Sequence, residues 1–458
     1  MREVINMNRK HLLLSVLSAG LILGAAFSAH AEGWVQSGNN WSYQYSDGSY
    51  ARNEWMKGAD GLWRWLDNTG NLAYNTWVDD TYYVGSDGIM VSGRWLLITD
   101  TDNETYWYYF NESGKRSEDK WQLIGGSHYH FDDEGHMETG WIEDGTYYCS
   151  ESGAMKTGWA WLKDYEKYED NSYPGDSDED YHWYYFLASG KKYAPEDSTL
   201  GNGYSERRVE GIKYCFDEEG RMQTGWVDLG TSENGGITNY RYYNQDGSLR
   251  TGWYSLNPPL ELENNYERSV EWFYFASDGT PRADTDGILT ENDFVRINGK
   301  SYLFNENGTP VCGLQKVYEK ANSDKYTSYF FGTYDQCNVQ TGKINVAEGS
   351  GEVNQYYFDN HGAGYTGPHD SYLYYCGKLQ VAEYGTRYQV ISMLTESGSK
   401  YNNYLVSTSG KLSKNRTLKD ADGVTYVTNA SGVVIEKEGV KVDGEKIGID
   451  PREPDYNF

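Results

Sequence analysis

The sequence predicts an all-β fold, a solenoid of stacked β-hairpins, and three observations carry that expectation. Gly-Trp recurs along the chain, as in "GWIEDGTYYCSESGAMKTGW" from Gly140 to Trp159. Between its copies lie apolar pairs, aromatic clusters and Gly/Asp/Asn turns, an alternation bounded by turn residues that signals hairpins. The 458 residues also hold 16 Trp, 44 Tyr, 13 Phe and 52 Gly. Few aliphatics and a net charge of −28 would ordinarily leave a chain unfolded. Here aromatic rings are expected to supply the buried surface and glycines the turns. One hairpin is unstable alone in water, whereas stacked hairpins bury a shared seam.

The chain opens on a basic lead, "MREVINMNRKH", an apolar run of 16, "LLLSVLSAGLILGAAF", and the small-residue site "AHA". Residues 1–31 therefore read as a signal peptide, too short in its apolar part for a comfortable membrane span. No later stretch reads as a span, so a secreted protein is expected. Tryptophan-rich repeats fill 32–290. "GHMETGW" and "EGRMQTGW" each lead into a further copy, and "VDDTYYVGSDGIMVSGRW" is a weaker one. Copies without tryptophan occupy 291–378, such as "YLFNENGTPVCG", and degenerate copies and a tail occupy 379–458. The tail "GIDPREPDYNF" has no sorting motif or apolar anchor, so noncovalent surface retention is expected.

The repeating pattern is Gly-Trp, a turn, Trp/Tyr-Tyr-Tyr-Phe, Asp/Ser-x-x-Gly, x-Met and x-Thr-Gly-Trp. It resembles the choline-binding or cell-wall-binding repeats of secreted proteins from Gram-positive bacteria and their phages, which are related to glucan-binding repeats. The resemblance is best over 93–159, 219–226 and 251–280. It implies a superhelix with about three hairpins per turn, and open aromatic cages between hairpins that hold a quaternary ammonium by cation–π attraction. Carried onto this chain, the cage walls are Trp95, Trp107 and Trp121, then Trp159 with Trp183, and Trp253 with Trp272. The opening unit offers Trp34, Trp41 and Trp55. A second-strand Trp recurs at Trp41, Trp107, Trp183 and Trp272, with "LWRWL" (Trp63, Trp65) as an exception to the spacing. Trp141 and Trp226, whose units lack it, are assigned to packing.

Charge narrows the partner. A polyacidic chain repels nucleic acid at long range. It tolerates a cationic choline group, and "DSDED" sets carboxylates near Trp183. Choline-substituted teichoic acid is the expected partner, with a neutral glucan as the alternative, since indole and phenol faces also bury sugar rings. No cofactor is expected and no enzyme. "SGK" at Ser113, Ser189 and Ser409 falls in turns, not beside a general base. His128, His130 and His136 alternate as metal ligands would, yet Lys213 and Cys215 fill the corresponding slots of "IKYCFDEEG". "DTDNE" and "DSDED" lack the glycine and glutamate spacing of an EF-hand. Of the five cysteines, Cys149 and Cys376 follow Tyr-Tyr where other copies have Phe110 and Phe186, so they read as buried Phe replacements. Cys312 and Cys337 are candidates for a bridge between adjacent units.

Overall fold

A computed structural model describes residues 32–456 apart from 101–102, 167–179, 197–200 and 231–235. The signal-peptide segment and most of the acidic "DSDED" stretch lie outside the described residues. The chain forms two compact units, Met1–Tyr193 and Ala194–Phe458. The described residues are all-β. They form thirteen two-stranded antiparallel sheets, one of five strands and one of four.

The hairpin Arg94–Thr99/Thr105–Phe110 shows why the aromatic pattern folds this way. Its register places Trp95 opposite Tyr109 and Leu97 opposite Trp107, with Arg94 opposite Phe110. Alternate residues of a strand face opposite ways. Trp95, Tyr109 and Trp107 therefore share a forward face toward the next hairpin, and Tyr108 and Phe110 share a rear face. Tyr108 and Phe110 pack on Trp77 of the preceding hairpin, at 5.0 and 5.7 Å between ring centroids. Trp95 packs on Tyr129 and Phe131 of the following one, at 4.9 and 5.6 Å. Trp77 and Trp95 thus each tie their hairpin to its successor, the seam a two-stranded sheet needs for stability.

The turn motif has its own cause. Asn111 Oδ1 accepts the Ser113 and Lys115 N–H groups, and Gly114 donates back to the Asn111 carbonyl. This Asx turn returns the chain so that Arg116 bridges Phe110. In the next hairpin Met137 holds the equivalent position and donates its N–H to the Trp107 carbonyl at 2.8 Å, a rung between neighbours. Leu72, Met90, Arg116, Met155 and Lys192 form the same rung to Trp41, Trp63, Thr81, His128 and Thr146. Met137 also explains one turn glycine. A Cβ on Gly153 would fall 2.2 Å from its sulfur. Gly140 precedes Trp141 at φ 84°, where a left-handed residue aims the strand. Asn75 and Asp119 supply that conformation two residues before Trp77 and Trp121, so the dipeptide Gly-Trp is one of two solutions.

In the second unit, beyond Trp272, tryptophan gives way to other packing, aliphatic in part. The hairpin Tyr388–Leu394/Tyr401–Ser407 buries Ile391, Leu405 and Val406 completely. Residues 453–456 fold back onto the unit. Tyr456 bonds the Ser328 hydroxyl, and Glu453 accepts from Tyr326. Beside them a buried Lys378–Glu348 ion pair spans 2.9 Å.

The cysteines divide. Cys149 occupies the Phe slot, opposite Gly140 as Phe186 is opposite Gly158, and burial pushes its thiol up to about 12. Cys376 does not replace a phenylalanine. It is half-buried in the two-residue turn with Gly377 between Tyr375 and Lys378, at φ 48°. The extra strand after Tyr375 turns the chain back one residue early, so the Phe position never forms. Cys312 and Cys337 are joined in a disulfide.

Candidate binding cages between hairpins

Within each unit a slot opens between the forward face of a tryptophan-bearing hairpin and the hairpin that follows it. Its composition is set by four positions: the first-strand Trp, the second-strand residue two steps from its cross-strand partner, a ring on the next hairpin, and the rung residue as floor. In the Trp95 slot these are Trp95, Trp107, Tyr129 and Met137. The two indoles lie 6.5 Å apart at 89°, and Tyr129 meets Trp95 at 67°. The Trp253 slot repeats that geometry with Trp253, Trp272, Tyr302 and Pro310. Its indoles lie 6.5 Å apart at 81°, with Tyr302 at 5.1 Å from Trp253. Trp272 stays 40% exposed, so the slot is open to a ligand. A cavity of about 170 Å³ lies there.

Other slots vary the theme. Trp55 packs on Trp65 and on Tyr82 of the next hairpin, while Trp63, over Met90, stands where Trp107 does and has Lys57 Nζ 5.5 Å above its ring. Trp121 packs on His130 and Tyr147, its indole N–H donating to Glu143, and His128 replaces the second indole.

Among the described residues, three further slots hold a cation of the chain itself over the first-strand indole. Arg64, nearly buried and paired twice to Asp60, lies 5.9 Å over Trp34 in the Trp34/Trp41 slot. Arg116 lies 5.7 Å over Trp77, and Lys192 lies 5.3 Å over Trp141 and 5.4 Å over Tyr184. In those last two slots Thr81 and Thr146 stand where a second Trp would. Trp141 itself is 7% exposed, against Tyr148, Tyr184 and Phe186. Trp226 packs on Phe273 and Phe275 over a cluster closed by Ile237 and Tyr240.

The sequence-predicted walls are therefore regrouped. Trp95 with Trp107 and Trp253 with Trp272 come together. Trp183 stands two residues from Tyr185, the cross-strand partner of Trp159, as Trp107 stands from Tyr109, and it also meets Trp161 at 5.7 Å. Trp34 and Trp41 sit in the opening slot with Arg64, while Trp55 belongs to the following one. The third ring on Trp95 is Tyr129, on the next hairpin's second strand, whereas the ring neighbours of Trp121 are His130 and Tyr147. The reading missed Trp63, the tyrosines Tyr82, Tyr129 and Tyr302, and the floor residues. The floors alone had a visible signal, the recurring Met two places after each turn glycine.

The three histidines do not converge on one point. His130 pairs with Glu138, and His128 is exposed. His136 stacks 3.7 Å from Tyr106, with Asp132 at 3.0 Å and Asp100 at 3.3 Å. Its ring with Asp132 and Glu134 forms a loose cluster whose ligand atoms lie within 4.8 Å. Among the described residues no helix is long and apolar enough to cross a membrane.

The model of the cell wall binding repeat matches residues 101–115, 178–192 and 292–309. A glucosyltransferase-S of Streptococcus mutans is 23% identical over 373 residues, which cover 73% of this chain and 21% of that enzyme. The chain thus spans about a fifth of that relative's length. Among solved structures, the modular autolysin LytC of Streptococcus pneumoniae is 22% identical with a TM-score of 0.38, covering 64% of this chain and 57% of its own. CbpJ of the same species is 18% identical with a TM-score of 0.37, covering 75% and 100%. Over the three matched stretches the chain is similar to cell wall binding repeats, the family that its sequence resembles.

Proposed function

We propose that this is a secreted, non-enzymatic binding protein of a bacterial surface, whose open slots take the quaternary ammonium groups of choline-substituted wall polymers. The observation that carries the reading is the repeated geometry of the Trp95 and Trp253 slots. Each offers two near-perpendicular indoles 6.5 Å apart and a tyrosine against the first of them, with an apolar residue, Met137 or Pro310, at the bridge position after the turn. A trimethylammonium group offers no hydrogen-bond donor, so several π faces in a partly dry slot are what it needs. Charge of the same sign as the polymer's phosphates leaves the ammonium as the attractive element. In the first unit double-indole hairpins come first, fourth and seventh, with the second (Trp55 and Trp63) off that spacing, and the three-hairpin interval supports a superhelical stack there with about three hairpins per turn.

A second reading, glucan binding, rests on the Trp159 hairpin. Trp161 and Trp183 are 49% and 40% exposed, and Tyr181 stacks on Trp161 at 23°. That is a platform rather than a cage, and sugar rings bury their apolar faces on such platforms. Retention of the full chain on purified choline-bearing walls, with elution by free choline, tests both. Elution by soluble glucan and not by choline would overturn the first reading in favour of the second.

A further inference from the structure

The Trp253 cage has a fourth wall. Residues 334–337, from the loop after the second hairpin beyond, close the cavity opposite Trp253, Trp272 and Tyr302. We propose that this fourth wall makes the Trp253 cage the tightest quaternary-ammonium site of the chain, and that the Cys312–Cys337 disulfide holds the wall in place. The proposal rests on the reading of the open slots as ammonium sites.

The wall is pinned at both ends. At one end the Tyr334 hydroxyl donates to the Glu271 carboxylate at 3.1 Å, with the Val270 carbonyl at 3.2 Å. The Arg268 guanidinium covers the same ring at 3.5 Å. Residues 268–271 lead into the strand that carries Trp272, so the wall is fastened beside the indole it faces. At the other end Cys337, buried and at φ 40°, is bonded to Cys312, two residues after the floor residue Pro310. Proline has no N–H, so the rung that joins Met137 to Trp107 has no counterpart between Pro310 and Trp272. The disulfide and the tyrosine clamp tie the loop there instead. Between the two fastenings Asp335 brings a carboxylate to the cavity rim.

Each feature favours a bound cation. A wall that excludes water strengthens cation–π attraction, and a carboxylate at the rim of a partly dry site adds Coulomb energy. A pinned loop does not lose its freedom again on binding. Reducing the disulfide takes two electrons and two protons and leaves two thiols. A trialkylphosphine supplies the electron pair and leaves as its oxide, with oxygen from water.

The test is a titration of the full chain with choline chloride, followed by calorimetry and tryptophan fluorescence, before and after phosphine reduction. Far-UV circular dichroism and melting check that the fold persists. The variant Tyr334→Ala repeats the experiment with the disulfide intact. Two classes of site are expected, and either treatment should weaken the tighter class roughly tenfold while leaving the weaker one in place, as loss of a desolvated contact would. A tight class unmoved by both treatments, or one abolished by Trp107→Ala, overturns this proposal alone. Absence of choline binding in the oxidised chain overturns the broader reading with it.

Discussion

The Trp95 and Trp141 slots lie two hairpins apart in one unit and pair the first-strand Trp with a tyrosine in the same way, yet one is open and the other is filled. Both begin with a first-strand Trp, and both receive rear-face rings of the next hairpin, Tyr129 and Phe131 in one and Tyr184 and Phe186 in the other. They differ at the remaining two positions. Trp107 becomes Thr146, and Met137 becomes Lys192, whose ammonium lies over Trp141. Removing the outer indole lowers one wall, and the lysine then supplies from inside the cation that a ligand would bring. On the proposed reading, ligand capacity is a two-residue property laid over a constant packing motif. The same indole position is scaffold or site according to its neighbours.

The largest expected effect separates those two roles. Trp141→Ala should cost about 3–5 kcal/mol of stability, the range for deleting a buried aromatic. Its melting temperature should fall while choline affinity per folded molecule stays unchanged. Trp107→Ala removes an outer wall that few rings contact. Its cost should appear as about 1–2 kcal/mol of binding at that slot, with a small shift in melting. Calorimetry at matched folded fraction checks both. Equal binding losses would erase the distinction between the slots.

Much of the fold was legible because it is written in local signals. The Gly-Trp repeat, the Asx turns and the cysteine in the Phe slot at Cys149 each act within one hairpin. The cages were half legible for the same reason. Trp95 with Trp107 and Trp253 with Trp272 are cross-strand neighbours, so strand alternation brings each pair together. Their third wall belongs to the next hairpin, where every copy has two or three candidate rings and only register selects Tyr129 or Tyr302. Trp63 was hidden by a shorter hairpin, in which the outer position falls nearer the turn. Arg64, Arg116 and Lys192 carried no signal, because an isolated cation in an acidic chain reads as a solvated charge. Dividing the chain at residue 290 also passes through the Trp253 cage, since Tyr302, Pro310 and residues 334–337 lie beyond it. A fragment ending there should keep the Trp95 site and lose the one at Trp253.

Transplanting the two differing residues sharpens the comparison. Thr146→Trp with Lys192→Met should give the Trp141 slot an outer indole and an apolar floor, adding one site to the choline stoichiometry. A stoichiometry that stays constant in a folded protein would show that backbone placement, not these side chains, decides capacity.

The smallest effect is expected from Lys192→Met alone. The lysine's place above Trp141 and Tyr184 is worth about 0.5–1 kcal/mol as a cation–π contact. A methionine has the volume and flexibility to fill the same space, and Met137 and Met155 already serve at that position in neighbouring hairpins. The rung to Thr146 uses the backbone N–H and survives the substitution. Stability should therefore fall by no more than about 1 kcal/mol. The slot should still bind nothing, because Thr146 leaves it without an outer wall and Trp141 remains buried beneath Tyr184 and Phe186. Chemical denaturation and a choline titration on the single variant measure the two quantities. A new site appearing with Lys192→Met alone would mean that the lysine by itself closes the slot, and that the outer indole adds affinity without creating capacity.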